Sequence, residues 1–227
     1  EEHVEALAGG ISLVQSAGDE LGPGAEASVF YEDHARLGVE LVLSILALRF
    51  DPQKMAKIET GLMGSNEALR ANAAELLESL LPDTLARLVV PLAARTRAAG
   101  TAVGELSAET SGRLFSTDAW TRAITVFHLT RGGPAPAELG GRSMTDEDVK
   151  LQKVVMTVSF LKQVPLFKSV PADFLASLAS IISEKHVYKG EKLFCQGDAG
   201  DSIYIVMAGR VRIIVGGKET ALLGPRS

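Results

Sequence analysis

The sequence predicts an α+β protein: an all-α array of helical hairpins over residues 1–131, then from residue 145 onward a domain that ends in a β-roll. Three observations carry this prediction. Apolar residues in the first half recur at helical spacing, whereas residues 132–144 (GGPAPAELGGRSM) lack an apolar period and are rich in Gly, Pro and Ala. Beyond Lys185 the rhythm changes to period two and is punctuated by glycine.

The helical elements follow in order. The run LGVELVLSILALRF, Leu37 to Phe50, is too short to cross a bilayer and contains Glu40, so it reads as a buried helix of a soluble protein. Asp51 and Pro52 open the next helix, which carries Met55, Ile58 and Leu62. Ser65 or Asn66 caps a third helix, on which Leu69, Ala73, Leu76, Leu77 and Leu80 share a face. Pro82 starts a fourth with Leu85, Leu88, Val89 and Leu92, and so tight a joint makes the two antiparallel. Asp118 opens another, carrying Trp120, Ala123, Ile124 and Phe127. Arg70–Ala71 and Arg122–Ala123 sit at similar places one turn into their helices, with Glu67 and Asp118 before them. This echo resembles HEAT-type repeats over roughly residues 31–131, and the resemblance implies a scaffold whose concave face takes a protein partner.

Residues 132–144 read as a linker between domains. Thr145 with Asp148 matches a capping box, and Leu151, Val154, Val155, Val158 and Leu161 then share a helix face up to the stop at Pro165. After Pro171 a shorter helix packs through Phe174, Leu175, Leu178 and Ile182. The remaining β-prone runs are separated by Gly190, Gly197, Gly200, Gly209 and Gly216, each a candidate turn former. Alternation places Val211, Ile213 and Val215 inward and Arg210 and Arg212 outward.

The segment VPLFKSVPADFLASLA followed by KGEKLFCQGDAGDSIYIVMAGRVRI resembles the cyclic-nucleotide-binding domain family, through Gly-Glu, Gly-Asp, Gly-Asp and Tyr-x-Val-x-x-Gly in that order, over about residues 160–225. The resemblance implies a jelly roll that binds cAMP or cGMP, with Ile213, Thr220 and Ala221 on strands that line the base pocket; plain core packing is the other reading of those three. The family grips the cyclic phosphate with a short helix-containing cassette bearing Gly-Glu and an Arg, because a desolvated phosphate needs an ion partner and helix-end amides. Two readings of the last residues follow. KETALLGP is the strand before that cassette, with the ligand machinery outside this sequence; or ETALLGPRS is a shortened cassette, with Glu219 on the ribose hydroxyl and Arg226 on the phosphate. The combination of such a domain with HEAT-like helices also looks like the soluble portion of bacterial proteins related to ATP/ADP translocases, which implies a membrane region before Glu1.

Composition narrows the function classes. With 28 acidic against 23 basic residues the net charge is -5, so no broad basic face is available to displace counterions from nucleic acid. Cys195 is the single cysteine, which excludes an internal disulfide and fits a reducing, cytoplasmic setting; it lies in a strand-like run and reads as a buried or half-buried residue. His3, His34, His128 and His186 are scattered without metal-ligand spacing, and Asp198 and Asp201 fit a turn better than a calcium loop. No catalytic or metal residues and no cofactor emerge. The reading is therefore a non-enzymatic regulator that binds a cyclic nucleotide and relays the change through the helix from Thr145 to the helical array. Its rival is a protein-interaction scaffold whose nucleotide domain no longer binds.

Overall fold

Helix α1 (Glu2–Leu21) and helix α2 (Glu26–Ala47) form the centre of the N-terminal unit in a computed structural model that describes residues 2–95, 101, 103–130, 138–139, 142–143 and 145–226. Val4, Ala8, Ile11, Val14, Ala17 and Leu21 are buried along one stripe of α1. Gly22 ends it with φ +72 and donates its N–H to Gly18 O at 3.0 Å, the left-handed stop that glycine adopts most readily. The two helices approach so closely that a Cβ on Gly38 would lie 2.7 Å from Ile11 Cγ1.

Helix α3 (Pro52–Met63) opens as anticipated: Asp51 accepts from the N–H groups of Gln53 and Lys54, Pro52 occupies the first turn, and Met55, Ile58 and Leu62 are buried. Asn66 caps α4 (Glu67–Leu80) by accepting from Leu69 N at 3.2 Å. On α4 only Ala73 and Leu77 of the anticipated stripe are buried; Leu69 and Leu76 are 58% and 57% exposed. Helix α5 (Asp83–Ala93) buries Leu85 and Val89, and α6 (Ala108–Leu114) is short. Asp118 caps α7 (Ala119–Thr130) by accepting from the N–H groups of Trp120 and Thr121, and Ala123, Ile124 and Phe127 are buried.

These helices do not make a linear HEAT-like array. In a solenoid each repeat touches only its neighbours. Here α1 also packs on α5 and α6, and α2 packs on α3, α5 and α7. Gln15 Nε2 donates to Leu92 O at 3.1 Å, and the buried Tyr31 hydroxyl meets Thr125 Oγ1 at 2.7 Å. Phe30 lies against both Trp120 and Phe127, with centroids 6.5 and 6.0 Å apart. The long α1–α2 pair has apolar residues enough to bury more than one face, so later helices close around it. The Arg-Ala echo dissolves accordingly: Ala71 is exposed and Ala123 is fully buried, while Arg70 donates to Gly64 O and Arg122 pairs with acids on the helix after the linker.

Of the anticipated linker 132–144, most lies outside the described residues; a two-residue antiparallel pair, β1 (Glu138–Leu139) with β2 (Arg142–Ser143), falls within it. Helix α8 (Asp146–Lys162) follows, and the chain divides into two units, Glu1–Gln152 and Lys153–Ser227, inside that helix. The C-terminal unit continues through a single 3-10 turn (Pro165–Phe167), α9 (Ala172–Ala179), and one antiparallel hairpin, β3 (Val211–Val215) with β4 (Lys218–Leu223). Val155, Val158, Leu161 and Leu175 are buried, but Phe174 and Ile182 are exposed.

No jelly roll is present among the described residues. Between α9 and β3 the chain forms turns and unpaired stretches, and Tyr188, Phe194, Ile203 and Tyr204 are exposed. Period-two patterning reports a chain fit for a pleated surface; a ladder also needs a partner strand with matching register, which the pattern does not supply.

Candidate ligand-binding segment

Two tight turns of one design organise residues 188–198. In Tyr188-Lys189-Gly190-Glu191 the Glu191 N–H donates to Tyr188 O at 3.0 Å while Glu191 Oε2 accepts from Tyr188 N at 2.9 Å. In Cys195-Gln196-Gly197-Asp198 the Asp198 N–H donates to Cys195 O at 3.2 Å while Asp198 Oδ2 accepts from Cys195 N at 2.7 Å. Gly190 and Gly197 have φ of +88 and +100, and the residue before each has negative φ, the requirement of a type II turn at its third position. The acid after each glycine therefore locks the turn that the glycine permits. That is the physical content of the Gly-Glu and first Gly-Asp pairs. Asp201 accepts from its neighbour Ser202 Oγ at 2.8 Å. Gly200, anticipated as a turn former, does not take positive φ.

Other contacts tie this segment to the hairpin. Gln196 Oε1 accepts from Gly216 N at 3.1 Å, and the rings of Phe194 and Tyr204 stack with centroids 5.8 Å apart and planes 29° from parallel. Gly216 and Gly217, with φ +57 and +78, form the two-residue connection, matching the type I′ turn that suits a right-twisted hairpin. Neither Gln196 nor the aromatic stack was foreseen; Gly-Gly between two apolar runs was the available hairpin signal.

The structure brings three of the five candidate ligand residues together. Ile213 lies opposite Ala221, and Thr220 occupies a bulge between the Ile213 and Ile214 pairings, where its hydroxyl donates to Ile213 O at 3.1 Å. Ile213 is half-buried, whereas Thr220 and Ala221 are exposed. Glu219 stands on β4, 3.8 Å from Arg212 Nη1 across the hairpin. Arg226 has φ +69, and its backbone N–H donates to Val206 O at 2.9 Å. No hydrogen bond or ion pair joins Glu219 to Arg226 among the described residues. Cys195 is exposed, not buried or half-buried, because it begins a turn instead of lying within a strand. Among the described residues no group of three or more His, Cys, Asp or Glu side chains could hold a metal ion, and no helix is long and apolar enough to cross a membrane.

The segment is thus a glycine-turn scaffold leading into a bulged hairpin. Part of the chain is similar to kinases regulated by a cyclic nucleotide. One match is to cGMP-dependent protein kinase isozyme 2, forms cD5/T2, of Drosophila melanogaster, 34% identical over 61 residues, which is 27% of this chain and 6% of that protein. Another is to isozyme 1 of the same organism, 33% identical over 63 residues, 28% of this chain and 8% of that protein. The chain therefore spans less than a tenth of the length of these relatives. No family profile matches the chain, and no solved structure matches it.

Proposed function

We propose that this chain is part of a regulatory protein that binds a cyclic nucleotide, cAMP or cGMP, through its C-terminal segment, and that it works by conformational change without catalysis of its own. The observation that carries the reading is the likeness to cGMP-dependent protein kinases, whose name includes the nucleotide. It is supported by the acid-locked glycine turns, which give the resemblance a structural reason. In this reading Ile213, Thr220 and Ala221 form the wall against the base, and Glu219 and Arg226 supply the polar contacts, with Glu219 exchanging Arg212 for a ribose hydroxyl. Enclosing a phosphate without a guanidinium or helix-end amides would cost several kcal/mol of hydration. In the reading of ETALLGPRS as a shortened cassette, Arg226 supplies that guanidinium and affinity depends on it. A cytoplasmic setting and a tether to a preceding membrane region belong to the same proposal.

The test is calorimetric titration with cGMP and cAMP. The unaltered chain is expected to bind one of them more tightly than 5′-GMP or 5′-AMP, and Arg226→Ala to weaken that binding by roughly tenfold or more, as loss of a charge-assisted hydrogen bond of about 1.5–3 kcal/mol requires. Equal response to all four nucleotides, or none, would reject the reading. Binding that survives Arg226→Ala would reject the assignment of Arg226. The exposed Leu69 and Leu76 on α4 favour a second reading, a scaffold that binds a protein partner on that face.

A further inference from the structure

Helix α8 is held in two different ways along its length. Over residues 146–152 the only buried side chains are Asp148 and Gln152, 1% and 4% exposed, and both are polar. Over residues 153–162 the buried side chains are Val155, Val158, Ser159 and Leu161, mostly apolar. The change falls where the chain divides into its two units.

The polar half is fastened to α7 through Arg122 and through Thr130. Arg122 Nε lies 3.2 Å from Asp148 Oδ1, and Arg122 Nη2 lies 3.4 Å from Glu147 Oε1. Asp148 also closes the capping box, its Oδ2 accepting from Thr145 N at 3.0 Å and Thr145 Oγ1 at 2.8 Å while its own N–H donates to Thr145 Oγ1 at 3.1 Å. One turn on, Gln152 Nε2 donates to Thr130 Oγ1 at 2.7 Å. Position 148 meets 122 and position 152 meets 130, so the two contacts follow one another in the same chain direction on both helices.

We propose that residues 145–152 form a polar latch, a segment that releases from α7 together while the apolar half of α8 keeps its own buried side chains. The reason lies in the balance of forces. A buried ion pair gains Coulomb energy but has lost hydration, and the two nearly cancel, so it specifies position more than it adds stability. Apolar burial has no such offset. Opening the first turns rehydrates Asp148, Arg122 and Gln152 and exposes little apolar surface. The latch therefore sets how firmly residues 145–152 are tied to α7. This inference does not depend on nucleotide binding.

Native-state hydrogen exchange on the full chain tests it. Under conditions where exchange follows the opening equilibrium, amides of 149–152 are expected to exchange faster than those of 155–161. Arg122→Met is expected to accelerate 149–152 by at least about tenfold, equivalent to about 1.4 kcal/mol, and to leave 155–161 unchanged. The paired change Thr130→Val with Gln152→Leu replaces the second fastening by an apolar contact and is expected to slow exchange at 149–152. Equal acceleration of both halves by Arg122→Met, or faster exchange in the apolar double variant, would overturn the latch.

Discussion

Replacing Gly61 by alanine sets two effects of opposite sign against each other, and the structure decides between them. Gly61 is inside α3, where glycine is a poor helix former, so propensity alone favours the alanine by about 0.8–1.0 kcal/mol. The new Cβ would lie 2.7 Å from Ala73 Cβ on α4 and 3.2 Å from Leu69 O, where ordinary contact begins at 3.4 Å. The obstructing atoms are a buried methyl group and a backbone carbonyl, neither of which can rotate away. The two helices must separate, and overpacking of this kind costs about 1–3 kcal/mol. The net expectation is a destabilisation of up to about 2 kcal/mol, a fall in Tm of up to about 8 °C for a chain of this length. Gly10 on α1 is the control, since nothing lies within 4 Å of a Cβ built there; Gly10→Ala is expected to raise Tm. Fluorescence of Trp120, the single tryptophan, follows unfolding of the helical unit. Adding Ala73→Gly should relieve the contact, so the Gly61→Ala effect becomes favourable in that background. If Gly61→Ala alone raised Tm as Gly10→Ala does, the close crossing of α3 and α4 would be refuted.

Two further outcomes are expected. Burial pushes the Asp118 carboxyl up, but the hydrogen bond from His34, those from the Thr121 N–H and hydroxyl, and the His34 charge outweigh it and hold the group well below the usual carboxylate range. A carboxyl depressed in the folded state contributes stability that is present above its unfolded value of about 3.9 and is lost as pH falls toward the folded value. The stability difference between the unaltered chain and Asp118→Asn should therefore shrink as pH falls below about 4; a difference that grew on going from about pH 4 to more acid conditions would reverse the assignment. In the C-terminal segment, Gly197→Ala should speed hydrogen exchange at Asp198, because φ +100 is strained for any residue with a Cβ, whereas Gly200→Ala should not. Equal effects would mean that the type II turn is misassigned.

Helix caps were the most legible features. Asp51, Asn66, Asp118 and the Thr145–Asp148 box each act as the sequence indicated, because a cap joins residues two or three apart and needs no distant partner. Helix α1 was legible in principle through the spacing of Val4, Ala8, Ile11, Val14, Ala17 and Leu21. Burial was less so: on α4 five residues share a face, but only the part that meets other helices is covered, so Leu77 is buried and Leu76 exposed. Within the candidate site the glycine turns were visible, whereas the Gln196 bridge to Gly216, twenty residues on, had no local signature.

By itself the sequence determined the helix-rich first half, the helix starts capped by Asp51, Asn66, Asp118 and Thr145, the turn at Gly216 in the last hairpin, and a net charge of -5. Each rests on interactions within a few residues or on composition. Tertiary structure alone decided that the helices close around α1 and α2 instead of stacking, that Arg122 reaches past the 132–144 stretch to Asp148, and that the β-prone runs before Val211 stay unpaired. The physical reason is one of range: periodicity states which face of an element is apolar, but the partner that covers that face is chosen by the free energy of the whole packed unit.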